Sequence, residues 1–163
     1  MSEARAVAVV TVSDRSFRGE RSDVTGPVVV QWALANGWNV MEQRVVPDEV
    51  AQISDALLEL CARGLPLVLT AGGTGLGPRD VTPEATRQVI DREVPGIAEV
   101  MRRTGAEYTP LAALSRALCG TCRQTLIVNL PGSPKGASQS LASVETLLPH
   151  AVDVLRASHF DHG

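Results

Sequence analysis

Four short apolar runs punctuate the chain, and each is followed by turn residues and then by a segment with helical spacing. The runs are residues 6–12, 38–46, 65–71 and 124–130. Three of them are apolar almost throughout, which is typical of strands buried on both faces, whereas 38–46 alternates and is predicted to lie nearer an edge. Strands that alternate with helices predict an α/β fold, with a parallel sheet covered by helices on both faces. We expect a single domain over residues 1–163.

The segments between these strands carry helix signals, while the polar residues 16–23 are predicted to form a loop. Thr82 is predicted to cap one helix, with Pro83 at its first position, and Ser133 is predicted to cap another, with Pro134 after it. Pro149 is expected to kink or end the latter helix. Helices are predicted over residues 26–36, 50–63, 83–91, 97–103, 110–114, 134–148 and 151–157.

The run 65–71 leads into a glycine-rich loop with Gly72, Gly73, Gly75 and Gly77. Ligands of open α/β sheets bind beside such loops, at the carboxyl ends of the strands. Glycine allows a positive φ and a close approach, and free backbone N–H groups suit phosphate. The loop matches neither a P-loop nor the G-x-G-x-x-G fingerprint. A tight turn without a ligand is the alternative.

Acidic side chains follow three of the predicted strands. Asp80 lies beside the expected phosphate cradle and would repel the ligand unless a metal ion bridged the two or the carboxylate had its own target. Ser13 and Asp14 follow the first strand and Asp48 the second, so parallel strands would place them at the same edge as the glycine loop. The alternatives are that Asp14 holds a local turn and that Asp48 caps the next helix.

Composition narrows the possible partners. Aromatic residues are 3% of the 163 residues, so the core must be aliphatic, and the net charge of −3 without a basic tract argues against a nucleic-acid partner. No signal peptide and no run long enough to cross a bilayer is evident, so we expect no membrane partner and a cytoplasmic location.

The three cysteines, Cys61, Cys119 and Cys122, do not predict a disulfide framework. The last two form a C-x-x-C pair, which we place in a hairpin turn between two apolar segments. A redox pair would need a helix N-terminus, and a zinc site would need further ligands, so we interpret the pair as structural.

Taken together, these motifs resemble the MogA/MoaB family of molybdenum-cofactor biosynthesis, to which the gephyrin G domain belongs. The match covers nearly the whole chain in the expected order and is nearer the compact MoaB type. One departure is Ala71, where many relatives carry a second threonine. The segments that carry the resemblance are residues 11–15, 47–49, 69–75, 79–84, 114–116 and 129–135.

The resemblance implies a three-layer α/β/α domain with a mostly parallel central sheet that forms homotrimers or higher oligomers. It implies adenylyl transfer, in which the terminal phosphate of molybdopterin attacks the α-phosphate of ATP and pyrophosphate leaves. Molybdopterin and ATP would be the substrates and Mg²⁺ the cofactor. The molybdenum insertase is a further expected partner.

The family motifs also imply residue roles. Asp48 and Asp80 match catalytic carboxylates that can hold Mg²⁺. We expect Arg79 and Lys135 to steady phosphate oxygens. The positions matching the substrate pocket are Ser13, Asp14, Gly72, Gly73, Thr74, Gly75, Arg79, Ser115, Ser133, Pro134 and Lys135.

Two other functions stay open at this point. A paralogue could bind molybdopterin without transferring AMP, as a carrier or assembly factor; the retained carboxylates and glycine loop argue against it. A nucleotide hydrolase like the CinA proteins, which carry a related domain, fits the start of the chain less well.

Overall fold

A computed structural model describes residues 5–157. Its six strands form one sheet, in the order β2-β1-β3-β6-β5-β4. The strands are β1 (Ala6–Val12), β2 (Asn39–Val46), β3 (Leu67–Ala71), β4 (Arg92–Glu93), β5 (Cys119–Cys122) and β6 (Thr125–Leu130).

The four strands β2, β1, β3 and β6 run parallel, and β5 and β4 add an antiparallel edge. The carboxyl ends of the four parallel strands are level, because Val12 pairs with Val46 and Ala71 pairs with both Thr11 and Leu130. Every residue of β1, β3 and β6 is buried, whereas β2 at the edge is partly exposed, as its alternating pattern predicts. The loops that follow these four strands therefore all begin at the same edge of the sheet.

In the described part of the chain, five α-helices and one 3₁₀ helix lie between strands, and two α-helices follow the last strand. No helix within residues 5–157 has the length and apolar character needed to span a bilayer. The helices are α1 (Asp14–Phe17), α2 (Thr25–Ala35), α3 (Val50–Ala62), α4 (Thr82–Val89), α5 (Pro95–Ala106), the 3₁₀ helix (Pro110–Leu114), α6 (Pro134–Val144) and α7 (Leu147–Arg156).

The sheet is covered on both faces, so the predicted three-layer α/β/α architecture is confirmed. On one face, Val9 and Val128 of the sheet pack in one cluster with α2, α5, α6 and α7. On the other face, Val10 and Val68 pack with α3 and α4. Both layers are mainly aliphatic, as the scarcity of aromatic residues predicts, although Trp38 belongs to the first cluster.

Several local predictions were wrong. Residues 16–23 are not all loop, because α1 begins directly after β1, with the Ser13 hydroxyl accepting a hydrogen bond from the Ser16 N–H. The helix after β6 breaks before Leu147 rather than at Pro149, which lies in the first turn of α7, where a missing N–H costs nothing. By contrast, Ser133 caps α6 as predicted.

The C-x-x-C pair lies in strand β5 and not in the hairpin turn, which falls at Arg123, a residue with φ of 56°. All three cysteines are buried and free. Burial raises the pKa of the Cys119 thiol to about 12, so this thiol stays protonated at neutral pH. The pair therefore serves packing.

A buried polar network centred on Asn129 joins four elements. The Asn129 amide donates to the hydroxyls of Thr70 and Thr86, each at 3.0 Å, and its carbonyl accepts from the Leu118 N–H at 3.2 Å. Asn129, Thr70 and Thr86 are fully buried. The asparagine thus ties β6 to β3, to α4 and to the segment that leads into β5.

Replacing Asn129 by leucine should lower the free energy of unfolding by about 3 kcal/mol, because buried donors and acceptors on three elements lose their partner. Chemical denaturation measures the change. Ser138→Ala, at an exposed position of α6, is the control and should stay within about 0.5 kcal/mol of the parent. Equal stability of the two variants would contradict the role of the network.

Candidate active site

The loops that follow β1, β2, β3 and β6 enclose a polar cleft of about 660 Å³ at the carboxyl edge of the sheet. This is the place that the rule for open α/β sheets predicts. Of the residues predicted from the sequence, the cleft brings together Ser13, Asp14, Asp48, Gly72, Gly73, Asp80, Ser133 and Pro134.

Two glycines form the floor of the cleft. Gly72 has φ of 109°, and a Cβ there would lie 2.3 Å from the Val12 carbonyl oxygen. Gly73 has φ of 69°, and a Cβ there would lie 2.2 Å from Oγ1 of Thr82. Side chains are thus excluded at both positions by contact and by backbone conformation.

The hydrogen bonds of this turn leave several amides available. The Gly72 N–H donates to the Leu130 carbonyl at 3.1 Å, so it is not available to a ligand. Within residues 5–157, no acceptor takes the N–H groups of Gly73, Thr74 or Gly75. Three successive amides of this kind suit phosphate oxygens.

The start of α4 holds the glycine turn in place. Thr82 donates through its hydroxyl to the Gly72 carbonyl at 2.8 Å and through its N–H to the Gly73 carbonyl at 3.1 Å. The prediction of Thr82 as an N-cap is therefore wrong: the cap position is Val81, and the threonine side chain fixes the turn instead.

The carboxylates of Asp14 and Asp48 are joined through each other's backbone. The Asp14 N–H donates to Oδ2 of Asp48 at 2.8 Å, and the Asp48 N–H donates to Oδ1 of Asp14 at 2.9 Å. The capping alternative for Asp48 is wrong, since Glu49 occupies the cap position of α3 without a side-chain bond. The ends of β1 and β2 are thereby locked together.

Arg79 binds the outer side of this pair instead of lining the cleft. Its guanidinium contacts Asp14 at 3.0 and 3.2 Å and Glu49 at 2.8 Å. The two carboxylates occupy three of its five N–H groups, and within residues 5–157 no acceptor takes those of Nη1, so its expected contact with phosphate oxygens stays a prediction. Arg79 ties the glycine loop to the ends of β1 and β2.

The two neighbouring carboxyl groups have opposite pKa shifts. The hydrogen bonds from Arg79 lower the pKa of Asp14. Burial raises the pKa of Asp48, and the negative charges of Asp14 and Asp80 raise it further. The fold thus disfavours the ionised form of Asp48, and pKa shifts of this kind are common at functional sites.

Asp80 forms hydrogen bonds within its own loop through one carboxylate oxygen and its N–H. Its Oδ2 accepts from the Gly77 N–H at 2.8 Å, and its N–H donates to the Gly77 carbonyl at 3.0 Å. Within the described residues, no donor reaches the other oxygen of Asp80 or Oδ1 of Asp48. Both residues line the cleft, so one carboxylate oxygen from each is left for a ligand.

These two oxygens fit Mg²⁺, a hard cation that takes one or two carboxylates and completes its shell with phosphates and water. The raised pKa of Asp48 is consistent with such a place, because a bound cation would offset the repulsion between Asp48 and Asp80. No group of three or more His, Cys, Asp or Glu that could hold a metal occurs in residues 5–157, so the phosphates of a ligand would have to supply further oxygens.

A second, smaller cavity of about 290 Å³ adjoins the cleft at Ser133, which lines both. Three more of the predicted residues, Thr74, Gly75 and Ser115, line it. Much of the remaining wall is apolar and comes from α5 and the 3₁₀ helix. Lys135 lines neither space; it is exposed in the first turn of α6.

Arg116 is a residue of the site to which the sequence analysis gave no role. Its guanidinium donates to the carbonyls of Gly75 at 2.8 Å and Asp80 at 2.7 Å and pairs with Glu84 at 2.8 Å, while its N–H donates to the Thr74 carbonyl at 2.8 Å. It therefore supports both ends of the loop that carries Asp80. The motif 114–116 contains it, but nothing local reveals these partners.

Asp23 is a further acidic residue of the cleft that sequence reasoning missed. Its Oδ2 accepts from the Thr11 hydroxyl at 2.7 Å, and its Oδ1 accepts from the Gly26 N–H at 2.9 Å. Both oxygens are thus bound to protein donors, and the carboxylate anchors the entry to α2. Its place three residues before Gly26, a capping spacing, was the available signal.

Comparison with known proteins places this arrangement in a family. Residues 8–150 match the family model described as "Probable molybdopterin binding domain". The chain is 36% identical over 156 residues to the molybdopterin adenylyltransferase of Helicobacter pylori strain J99, covering 94% of this chain and 89% of that protein. The crystal structure of the molybdopterin biosynthesis enzyme MoaB from Thermus thermophilus superimposes with a TM-score of 0.88 at 50% identity, covering 94% of this chain and 97% of that one.

The fold and the cleft are thus those of a molybdopterin-binding α/β domain, and the chain belongs to the MogA/MoaB family. Some relatives are longer. The chain spans 26% of the "Molybdenum cofactor synthesis protein cinnamon" of Drosophila melanogaster and 48% of the "Molybdenum cofactor biosynthesis bifunctional protein" of Synechococcus elongatus.

Asp48→Asn should raise the free energy of unfolding at pH 7, because the variant removes a charge that burial and two carboxylates disfavour. Since the folded-state pKa of Asp48 lies above the unfolded one, its ionisation lowers stability as the pH rises through the interval between them. The gain should therefore vanish in acid below that interval. Denaturation at a series of pH values measures it.

Asp14→Asn is the matched control with the opposite sign. The pKa of Asp14 is lowered by Arg79, so its charge stabilises the fold above the ordinary carboxyl pKa, and this contribution disappears as the pH falls through the folded value. The variant should be less stable than the parent at pH 7. Equal destabilisation by both variants would show that the two carboxylates do not differ as described.

Arg116→Lys should lower the free energy of unfolding by about 1–2 kcal/mol and speed hydrogen exchange in the 74–80 loop, because an ammonium cannot span the acceptors that the guanidinium reaches. Exchange measured by mass spectrometry reports the loop directly. Arg103→Lys, at an exposed position of α5, is the control. Unchanged exchange in Arg116→Lys would contradict the supporting role of Arg116.

Proposed function

We propose that this protein adenylylates molybdopterin: the terminal phosphate of molybdopterin attacks the α-phosphate of ATP, and adenylyl-molybdopterin and pyrophosphate are formed with Mg²⁺ as cofactor. The observation that carries the proposal is the meeting of Asp48 and Asp80 with the glycine turn in one cleft. Curated relatives such as the Helicobacter pylori protein are named for this activity.

The chemistry of phosphoryl and adenylyl groups needs positioning and charge neutralisation more than covalent help from the protein. The free amides of Gly73, Thr74 and Gly75 are suited to hold phosphate oxygens. Asp48 and Asp80 would hold Mg²⁺ through their free oxygens. When bound, the ion would neutralise developing negative charge on the phosphates.

The two adjoining spaces support a reaction between two ligands. The larger cleft is the more polar of the two and contains the carboxylates, whereas the smaller cavity is largely apolar and suits a ring system. Because the spaces meet at Ser133, two ligands seated in them would be neighbours. Proximity of this kind is a major part of catalysis of two-substrate reactions.

The alternative of a pterin carrier makes a different demand on the same residues. A carrier gains nothing from the half-buried carboxylate of Asp48, which Asp14 and Asp80 repel, whereas a transferase that recruits a cation does. Calorimetry distinguishes the two, since a carrier would bind molybdopterin tightly without turning over ATP.

The proposed setting of the reaction is the cytoplasm, with further copies of the chain in a homotrimer or higher oligomer and with the molybdenum insertase as the protein that takes the product. Leu76, Tyr108 and Leu111 support an assembly, because 62–69% of the surface of each is exposed despite its apolar character.

Asp80→Asn should reduce pyrophosphate release by at least about tenfold in an assay with purified molybdopterin, ATP and Mg²⁺, because a neutral amide is a poor ligand for the cation. The loss should appear mainly in kcat. Asp153→Asn is the control, since Asp153 lies on α7 and pairs with Arg5 at 2.8 Å.

Turnover by Asp80→Asn equal to that of the parent would remove the proposed mechanism. Tight molybdopterin binding without turnover by the parent protein would favour the carrier. Cleavage of a dinucleotide pyrophosphate without any pterin would instead support the hydrolase.

A further inference from the structure

We infer that Arg15 and Arg21 form the polyphosphate-binding rim of the cleft, which holds the two outer phosphates of the nucleoside triphosphate and, after the reaction, pyrophosphate. This inference rests on the proposed function, since it assigns a part of the same cleft to the leaving group. It replaces the sequence-based expectation that Arg79 and Lys135 hold the phosphates.

Charge in the cleft leads to these two residues. Among the side chains that line it, Arg15 and Arg21 are the cationic ones, and neither forms a salt bridge within residues 5–157. Arg79 is held by Asp14 and Glu49 outside the cleft, and Lys135 does not line it. The cations available to a polyanion in the cleft are therefore Arg15 and Arg21.

The backbone presents both arginines from one anchored segment. Arg15 lies in α1, which starts at the Ser13 cap, and its carbonyl accepts from the Glu20 N–H at 2.9 Å. The chain then turns back past Arg21 to Asp23, which Thr11 and Gly26 hold in place. The rim segment 15–21 is thus fixed at both ends, with its two free arginines at the cleft.

Arg18 belongs to the same segment but has a different environment. It forms a bidentate pair with Glu20 at 2.9 and 3.2 Å and does not line the cleft. Of the three arginines of the rim segment, one is thus neutralised by a neighbour, whereas the two that line the cleft are left without a carboxylate partner. This difference makes Arg18 a matched control.

The distribution of carboxylates explains why a separate cationic rim is needed. Asp48 and Asp80 offer free oxygens suited to a metal ion but would repel phosphates that the ion does not contact. A triphosphate carries more charge than one divalent ion neutralises. Guanidinium groups bind phosphate oxygens in pairs and remain charged at any relevant pH, so the rim supplies the missing positive charge.

The test is calorimetric titration of the full chain, in the presence of Mg²⁺, with inorganic pyrophosphate, ATP and AMP. The double variant Arg15→Gln, Arg21→Gln should bind pyrophosphate and ATP at least about tenfold more weakly than the parent, while AMP affinity changes less than about twofold, because AMP lacks the outer phosphates. Arg18→Gln should bind all three probes like the parent. Circular dichroism confirms the fold of each variant, and Arg15→Lys, Arg21→Lys should restore part of the pyrophosphate affinity.

Three results would overturn the inference: no pyrophosphate binding by the parent, unchanged pyrophosphate affinity in the double glutamine variant, or an equal loss in Arg18→Gln. If Arg79→Gln or Lys135→Gln bound pyrophosphate more weakly while the double glutamine variant was unaffected, phosphate binding would be assigned to Arg79 or Lys135 instead. Failure of the proposed function would give a different result. The parent protein would then bind pyrophosphate through Arg15 and Arg21 but would not adenylylate molybdopterin.

Discussion

The approach of the glycine turn to the end of β1 is the contact on which the site depends. A Cβ on Gly72 would lie 2.3 Å from the Val12 carbonyl, so the two backbones touch with no room for a side chain. The Gly72 N–H also donates to the Leu130 carbonyl, which joins the same turn to β6. Because three parallel strands are held level in this way, the residues that follow them meet although 120 positions separate Ser13 from Ser133.

Around that contact, Arg79 and Arg116 act from outside the cleft, whereas the carboxylates of Asp14, Asp48 and Asp80 line it. Arg79 compensates the charge of Asp14, and Arg116 supports the loop that carries Asp80. Asp48 has no comparable cation, and its ionised form is disfavoured. Natural sites often retain such unfavourable charges because the ligand needs them, at a cost to stability.

The sequence contained enough information for the sheet and for the side of it where the site lies. Apolar runs followed by helical spacing require parallel strands, and parallel strands bring Ser13, Asp48 and the glycine turn to one edge. Asp80 stood out beside the glycine loop, the family resemblance added its expected catalytic role, and the cleft brings these residues together. Their individual roles stay predictions.

What the sequence could not reveal were the partners of long, flexible side chains. Arg79 finds Asp14 at a separation of 65 residues, and Arg116 finds the Gly75 carbonyl at 41. Local patterns carry no information on such pairs. The predicted cap Thr82 and the capping alternative for Asp48 were wrong for a related reason. Both residues have the type and position of a cap, yet their side chains bond to tertiary partners instead.

The two edge strands of the sheet limit how copies of the molecule can associate. One edge strand, β4, is only two residues long. The other, β2, has an irregularity in its pairing with β1 and bears Glu42 and Arg44. Glu42 pairs with Arg63, the residue after α3, and Arg44 pairs with Glu59 of α3. Edge strands that are short, charged or irregular disfavour pairing with a strand from another molecule. Growth of a continuous sheet from one molecule into the next is therefore disfavoured, and any assembly has to be built from helix and loop surfaces.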